Sequence, residues 1–218
     1  MTNKIIAAAL NESLFGSLPE AILGELELTS RITRVPSGKL VYNPEVSVIV
    51  DGALRAFVDD GAARHLTVSY MYRPQSIGIA GAAGLEFPVG FQAIVPSTIL
   101  RISRARFDEL RQAHCQIGWA ATREIARQLD DVLAETVRVA FHPVRARIAH
   151  HLLALTDIDR DEPAPVHQAE LAAAVGSVRE VVGRNVGSLR EASLVDVSQA
   201  GVAAINQEGL RRVADRRG

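Results

Sequence analysis

The sequence predicts an α+β protein with an N-terminal domain, one long helix and a C-terminal domain. Residues 30–103 carry short strand-like segments separated by turns, and residues 104–139 carry a continuous helical pattern. Residues 144–214 alternate helical patterns with one hairpin. A chain of 218 residues accommodates one to two domains. We place the domain boundaries at 1–103, 104–140 and 141–218.

The composition limits the classes of site that the chain can hold. The formal net charge is −1, and the part from His142 onward carries ten Arg and ten Asp or Glu, so any nucleic-acid contact depends on locally placed Arg. Cys115 is the single cysteine, which excludes an internal disulfide and a cysteine-only metal site. The His residues lack ligand spacing, and we predict no metal site and no catalytic residue.

The sequence also indicates where the protein resides. No apolar run reaches the roughly 18 residues of a membrane-spanning helix. The first ten residues carry one Lys and no cleavage-site pattern. We therefore expect a cytoplasmic protein that does not enter a membrane.

The N-terminal domain is predicted to start with two short helices within residues 1–28, followed by strands. Seven strand-like segments lie between residues 32 and 102, with Asp51-Gly52 as a hairpin turn and the last two at 94–95 and 99–102. Their regular spacing is typical of an all-β sandwich or barrel. The glycine-rich stretch 78–90 is predicted to be a loop, and it matches neither a phosphate-binding loop nor a dinucleotide fingerprint.

The segment 104–139 is predicted to form one helix interrupted only by Gly118. At 1.5 Å per residue it would be roughly 50 Å long, which favours pairing with the same helix of a second subunit. The alternative is a central helix buried in its own domain. Pro143 ends the helix and forms a hinge. The predicted dimer seam consists of Ile117, Ala121, Ile125, Leu129 and Val132.

Residues 167–191 have the pattern of a helix-turn-helix. A short helix from Gln168 to Ala174 ends at Gly176, and Ser177 is the predicted N-cap of the second helix with Glu180 as its capping-box partner. A hairpin over 194–205 and a helix over 207–214 follow, which is the layout of a winged helix.

The second helix of this motif exposes residues that suit base recognition. Arg179 and Arg184 can each donate two hydrogen bonds to guanine, and Glu180 can accept one from cytosine. They lie on the first turns, the part of such a helix that enters the major groove. The alternative is an ordinary helical hairpin with a solvated charged face.

The order of parts resembles the cyclic-AMP receptor protein / fumarate–nitrate regulator (Crp/Fnr) family of bacterial transcription factors. The resemblance covers nearly the whole chain and is most specific at VHQAELAAAVGSVREVVGR, with support from AFHPVRARIAHHLLAL and ILRISRARFDEL. The positions that match the family pattern are Gln168, Leu171, Val175, Gly176, Arg179, Glu180 and Arg184. The departures are Val178, where Ser is common, and Pro143, where Asp is usual.

The resemblance implies a double-stranded β-roll like those that bind cyclic nucleotides, a dimerisation helix and a DNA-binding winged helix-turn-helix. It implies a homodimer that binds double-stranded DNA at a palindromic TGTGA-type site and works with RNA polymerase. Arg179, Glu180 and Arg184 would read bases. We assign Gln168, Ser177 and Ser188 to the DNA backbone.

The sensor half departs from the family's cyclic-nucleotide pocket. Phe87, Pro88 and Val89 stand where Arg-Ser-Ala would hold the phosphate, and Ile77 or Ile79 stands at the Glu position. A phosphodiester anion would lose its hydration there without compensation, so we do not expect cyclic AMP to bind. The single cysteine excludes the iron–sulfur branch, while haem through His65, His114 or Cys115 stays open.

Two effector hypotheses remain, an apolar small molecule or no effector at all. The candidate pocket residues are Ile79, Phe87, Pro88, Val132 and Leu133. One alternative function is a ligand-binding β-roll sensor, for an apolar molecule or haem, whose DNA-binding half is weak or effector-dependent. An enzyme of cupin type would need a His/Glu metal cluster on the strands, yet residues 30–103 contain only His65, so we expect no enzyme.

Overall fold

The computed structural model describes residues 2–41, 45–59, 65–84, 88–158, 165–199 and 201–215. Phe87 lies outside these ranges. By its contacts the chain divides into two compact units, residues 1–56 with 69–131 and residues 57–68 with 132–218. The division differs from the predicted boundaries in two ways. Residues 57–68 belong with the C-terminal part, and the predicted dimerisation segment 104–140 is divided between the two units after residue 131.

Eight strands form the two four-stranded sheets of a β-roll. Their order is β1-β8-β3-β6 in one sheet and β2-β7-β4-β5 in the other. Gly52, at φ +81°, turns the chain between β3 and β4, as the Asp-Gly signal predicts. The strands are β1 Arg31–Val35, β2 Leu40–Val41, β3 Ser47–Asp51, β4 Ala53–Asp59, β5 His65–Tyr72, β6 Ser76–Ile77, β7 Val89–Ala93 and β8 Ser97–Arg101.

The described part of the glycine-rich stretch has more regular structure than the sequence predicts. It contains a short helix, α3, at Ile79–Ala82, and β7 begins at Val89. The strand predicted at 94–95 is wrong, because these two residues lie between β7 and β8.

Helices α1 (Thr2–Glu12) and α2 (Glu20–Thr29) precede the roll and share its core. Phe15 is fully buried and meets Phe107 edge to face, with ring centroids 6.3 Å apart. Ile6, Leu10 and Leu100 lie in the same buried cluster.

The long helix predicted over 104–139 is two helices, α4 (Arg104–Ala113) and α5 (Cys115–Phe141). The break is at His114, whose backbone is extended at φ −130° and ψ 94°, and not at Gly118. Ser103 caps α4 by accepting from the Arg106 backbone N–H at 3.3 Å. The predicted end of the helix before Pro143 is confirmed, since α5 ends at Phe141 and α6 begins at Val144.

The second unit contains the remaining elements, which are α6 (Val144–Ile158), α7 (Gln168–Ala174), α8 (Arg179–Glu191), β9 (Val195–Ser198), β10 (Gly201–Ala204) and α9 (Gln207–Ala214). Val166 pairs with Val202 and adds a third chain segment to the β9–β10 hairpin. Phe57 is fully buried and stacks on His65, with ring centroids 4.1 Å apart. None of the helices in the described ranges has the length and apolarity to cross a bilayer.

Candidate nucleic-acid interface

The turn between α7 and α8 is built on Gly176. Its φ of +60° is left-handed, and the Ser177 backbone N–H reaches back to the Ala172 carbonyl over 3.0 Å. A Cβ on Gly176 would meet Leu66 Cδ1 at 2.8 Å. The predicted glycine stop is therefore confirmed, and the position is restricted by both its backbone conformation and the neighbouring side chain.

The capping box predicted for α8 is wrong. The residue before the helix is Val178, which makes no side-chain cap, and Ser177 lies one position too early. The turn uses the Ser177 N–H to close α7, which shifts the start of α8. The first N–H groups of α8 are thus left without a side-chain acceptor, an arrangement that suits a phosphate oxygen.

The three predicted base readers lie together on the exposed side of α8. Arg179, Glu180 and Arg184 are all exposed, and among the described residues none has an ion-pair or hydrogen-bond partner. Val182, Val186 and Leu189 are buried on the opposite side and hold the helix in place. The guanidinium and carboxylate groups are therefore available to an external partner.

The three predicted backbone contacts, Gln168, Ser177 and Ser188, are half-buried. Gln168 lies against α8, because a Cβ on Gly183 would be 3.5 Å from its Oε1 atom. Gln168 thereby links the start of α7 to the middle of α8.

Arg147 supports the motif from α6, a role that the sequence analysis missed. Its Nη1 atom donates to the Val175 carbonyl oxygen at 2.7 Å, which stabilises the end of α7. Burial lowers the pKa of Arg147, and the nearby Glu135 carboxylate opposes this shift. A basic residue in an amphipathic helix is too common a pattern to reveal such a role.

The hairpin β9–β10 forms the wing. Gly201 starts β10 at φ +135°, and a Cβ there would lie 2.7 Å from the Val166 backbone. The close approach of these two chain segments fixes the wing beside the helix-turn-helix.

The predicted dimer seam needs a correction at its start. Ile117 and Ala121 are buried in the core of the first unit, so they cannot meet a second subunit. Val132 is half-buried. Besides Trp119 near its start, the exposed large apolar residues of α5 are spaced by four, at Ile125, Leu129, Leu133, Val137 and Phe141.

The effector-pocket candidates lie in different surroundings. Ile79 is buried in the hydrophobic core of the first unit, and Pro88 is exposed. Leu133 is 55% exposed on α5 in the second unit. Of the haem candidates, His65 stacks on Phe57, His114 forms the break between α4 and α5, and Cys115 is exposed.

The C-terminal part of the chain is similar to a known domain family. The profile of the Crp-like helix-turn-helix domain matches residues 146–213. The cAMP-activated global transcriptional regulator Vfr of Pseudomonas aeruginosa is 27% identical over 68% of this chain and 75% of its own length. The cAMP-activated global transcriptional regulator CRP of Pasteurella multocida is 26% identical over 67% and 74%. These relatives are transcription regulators and not enzymes.

Solved structures share the fold over most of the chain. A CRP/FNR-family transcriptional regulator from Thermus thermophilus has a TM-score of 0.69 at 22% identity, covering 86% of this chain and 100% of the other. The c-di-GMP responsive global regulator CLP of Xanthomonas campestris has a TM-score of 0.68 at 22% identity, covering 85% and 98%. The chain therefore carries a Crp-like helix-turn-helix domain in its C-terminal part, and over most of its length it shares the fold of Crp/Fnr-family transcription regulators.

Proposed function

We propose that the protein is a homodimeric regulator that reads a palindromic TGTGA-type DNA site through Arg179, Glu180 and Arg184. The observation that carries this proposal is that these three side chains lie on the first turns of α8, exposed and without partners among the described residues. Arg bound to guanine and Glu bound to cytosine would distinguish the bases of each half-site.

The test is fluorescence anisotropy on a palindromic TGTGA-type duplex and on a scrambled duplex. Arg179→Ala or Arg184→Ala should cost about 1–3 kcal/mol on the specific duplex and relax discrimination at one base pair. Arg111→Ala, which removes a charge paired with Asp108 on α4, is the matched control and should change neither affinity. An equal loss on both duplexes would show that the two Arg contact only phosphates.

The exposed apolar face of α5 supports the homodimer. Leu129, Leu133 and Val137 are 56%, 55% and 50% exposed, and residues four apart lie on one side of a helix. A second copy brings an identical face, and two-fold pairing of identical helices matches a palindromic site with half-sites about one helical turn apart.

Sedimentation of point variants tests the dimer. Leu129→Glu places a charge in the apolar face and should shift the protein to the monomer, whereas Asp131→Lys, a charge change on the opposite side of α5, should not. A monomeric wild-type protein would contradict the proposal.

We further propose that cyclic nucleotide does not control DNA binding. Ile79 is in the core, and Pro88 offers a phosphate no side-chain donor. Addition of cyclic AMP should leave the anisotropy titration unchanged, while a shift at micromolar cyclic AMP would contradict the proposal.

By family resemblance RNA polymerase is the protein partner at the promoter. A mobility-shift assay with the protein, promoter DNA and RNA polymerase would test this.

A further inference from the structure

A cleft of about 420 Å³ opens in the first unit between the end of α1, the turn from β5 to β6, and one face of α5. Its volume is in the range of small-molecule sites. The charged and amide residues along it are Glu12, Gln75, Arg123, Glu124 and Arg127. This is a different set of residues from the apolar pocket that the sequence suggests.

The acidic groups of the cleft are already neutralised within the protein. Glu12 pairs with Arg73 at 3.1 Å, and Glu124 pairs with Arg127 at 3.0 Å. Arg127 also pairs with Asp131 at 3.1 Å. Neither carboxylate therefore needs an external cation.

Glu124 and its neighbour Gln128 also fix the wall of the cleft. The Glu124 Oε1 atom accepts from the Ser76 backbone N–H at 3.1 Å and from Gln128 Nε2 at 3.1 Å. Gln128 Nε2 in turn donates to the Ser76 carbonyl at 2.8 Å. These bonds tie α5 to β6, so the cleft is preformed.

Two side chains in the cleft keep donors without acceptors among the described residues. Arg123 is exposed there and makes no ion pair or hydrogen bond with any described group. Gln75 is only 9% exposed, and its Oε1 atom accepts from the Tyr72 backbone N–H at 2.7 Å. The amide NH₂ of Gln75 has no acceptor among the described residues, and Gln75 is part of the cleft lining.

A guanidinium and an amide NH₂ together define the ligand chemistry. Both groups only donate, and the planar guanidinium matches the two oxygens of a carboxylate. Glu12 and Glu124 balance Arg123 and Arg127, so the lining carries no net charge and lacks the excess positive charge that a polyanion needs. We propose that this cleft binds a small molecule with a single carboxylate, held by Arg123 with a further hydrogen bond from Gln75.

The proposed site is compatible with dimerisation through α5. At 3.6 residues per turn, Arg123 and Arg127 face the opposite side of the helix from Ile125 and Leu129. The cleft therefore stays accessible when the apolar face is covered. Its occupancy also does not depend on DNA binding, so the two proposals can fail separately.

Calorimetric titration of the full chain with benzoate, benzamide and inorganic phosphate tests the inference. Benzamide has the shape of benzoate without the charge, so it should bind at least about tenfold more weakly. Phosphate should bind no better than benzamide. Equal binding of benzoate and benzamide, binding of neither, or tighter binding of phosphate would each overturn the proposal.

Three variants locate the binding. Arg123→Gln should weaken benzoate about tenfold, and Arg111→Gln, outside the cleft, should not. Gln75→Glu retains an acceptor for the Tyr72 N–H but replaces the donor with a negative charge, so benzoate binding should be lost while the circular dichroism spectrum is unchanged. Wild-type benzoate binding by the folded Arg123→Gln or Gln75→Glu variant would overturn the assignment.

Discussion

Arg147 Nη1 lies 2.7 Å from the carbonyl oxygen of Val175, so that α6 holds the residue that ends α7 at the turn of the DNA-binding motif. The contact is charge-assisted and local to the turn that orients α8.

Removal of this contact should loosen the helix-turn-helix. Arg147→Met preserves much of the side-chain volume but not the donor, and we expect a loss of about 1–2 kcal/mol in local stability. Hydrogen exchange of the α7 and α8 amides, monitored by mass spectrometry, measures this loss of local stability. Arg145→Met on the same helix is the control, and equal effects of the two variants would show that the Val175 contact is not what matters.

Gly176 should resist substitution for two separable reasons. Gly176→Ala forces a side chain into left-handed backbone, at about 1–2 kcal/mol, and pushes its Cβ against Leu66. Adding Leu66→Ala should recover only the steric part. Hydrogen exchange of α7 and α8 in the single and double variants gives both parts, and complete recovery would mean that the backbone conformation costs nothing.

Substitution of Gly187 by Ala should raise the stability of the protein and lower its affinity for DNA. A Cβ on Gly187 meets nothing within 4 Å, so Gly187→Ala should stabilise α8 by about 0.5–1 kcal/mol. Gly187 is on the same side of α8 as Glu180 and Arg184, where an added methyl group would hinder close approach to DNA. The melting temperature of the variant should therefore rise, while fluorescence anisotropy should show weaker binding to DNA. Unchanged DNA affinity would place Gly187 outside the interface.

Glu124 should matter as a hydrogen-bond acceptor more than as a charge. Glu124→Gln retains an oxygen for the Ser76 N–H and should change stability little, whereas Glu124→Leu leaves that buried strand N–H unpaired at about 1–3 kcal/mol. Urea denaturation of the two variants compares them directly. Equal destabilisation would contradict this account.

The helix-turn-helix was predictable because its signals are local. Gly176 adopts the left-handed conformation that glycine favours, and the apolar period of Val182, Val186 and Leu189 matches the buried side of α8. The predicted N-cap of α8 was one residue too early, because the Ser177 backbone N–H bonds to α7 and the N-cap is Val178. The identity of the residues in the turn does not specify which backbone N–H closes α7.

Features set by tertiary contacts were not predictable to the same extent. The helix break occurs at His114, a residue with no strong breaking tendency, while Gly118 stays helical within α5. Ile117 shares the periodicity of the seam, yet the core of its own unit covers it. The polar cleft forms where α1, the β5–β6 turn and α5 lie side by side. These segments are far apart in the sequence, so no local sequence pattern predicts the cleft.

The assignment of residues 57–68 to the second unit affects how the DNA-binding part could be separated from the rest. A fragment beginning at Val132 would lack the fully buried Phe57, whose ring occupies part of that unit, and Leu66, which meets the turn at Gly176. We therefore expect the helix-turn-helix of this chain to need residues 57–68 for its full stability, so a transplant to another sensor should carry this piece of the β-roll with it.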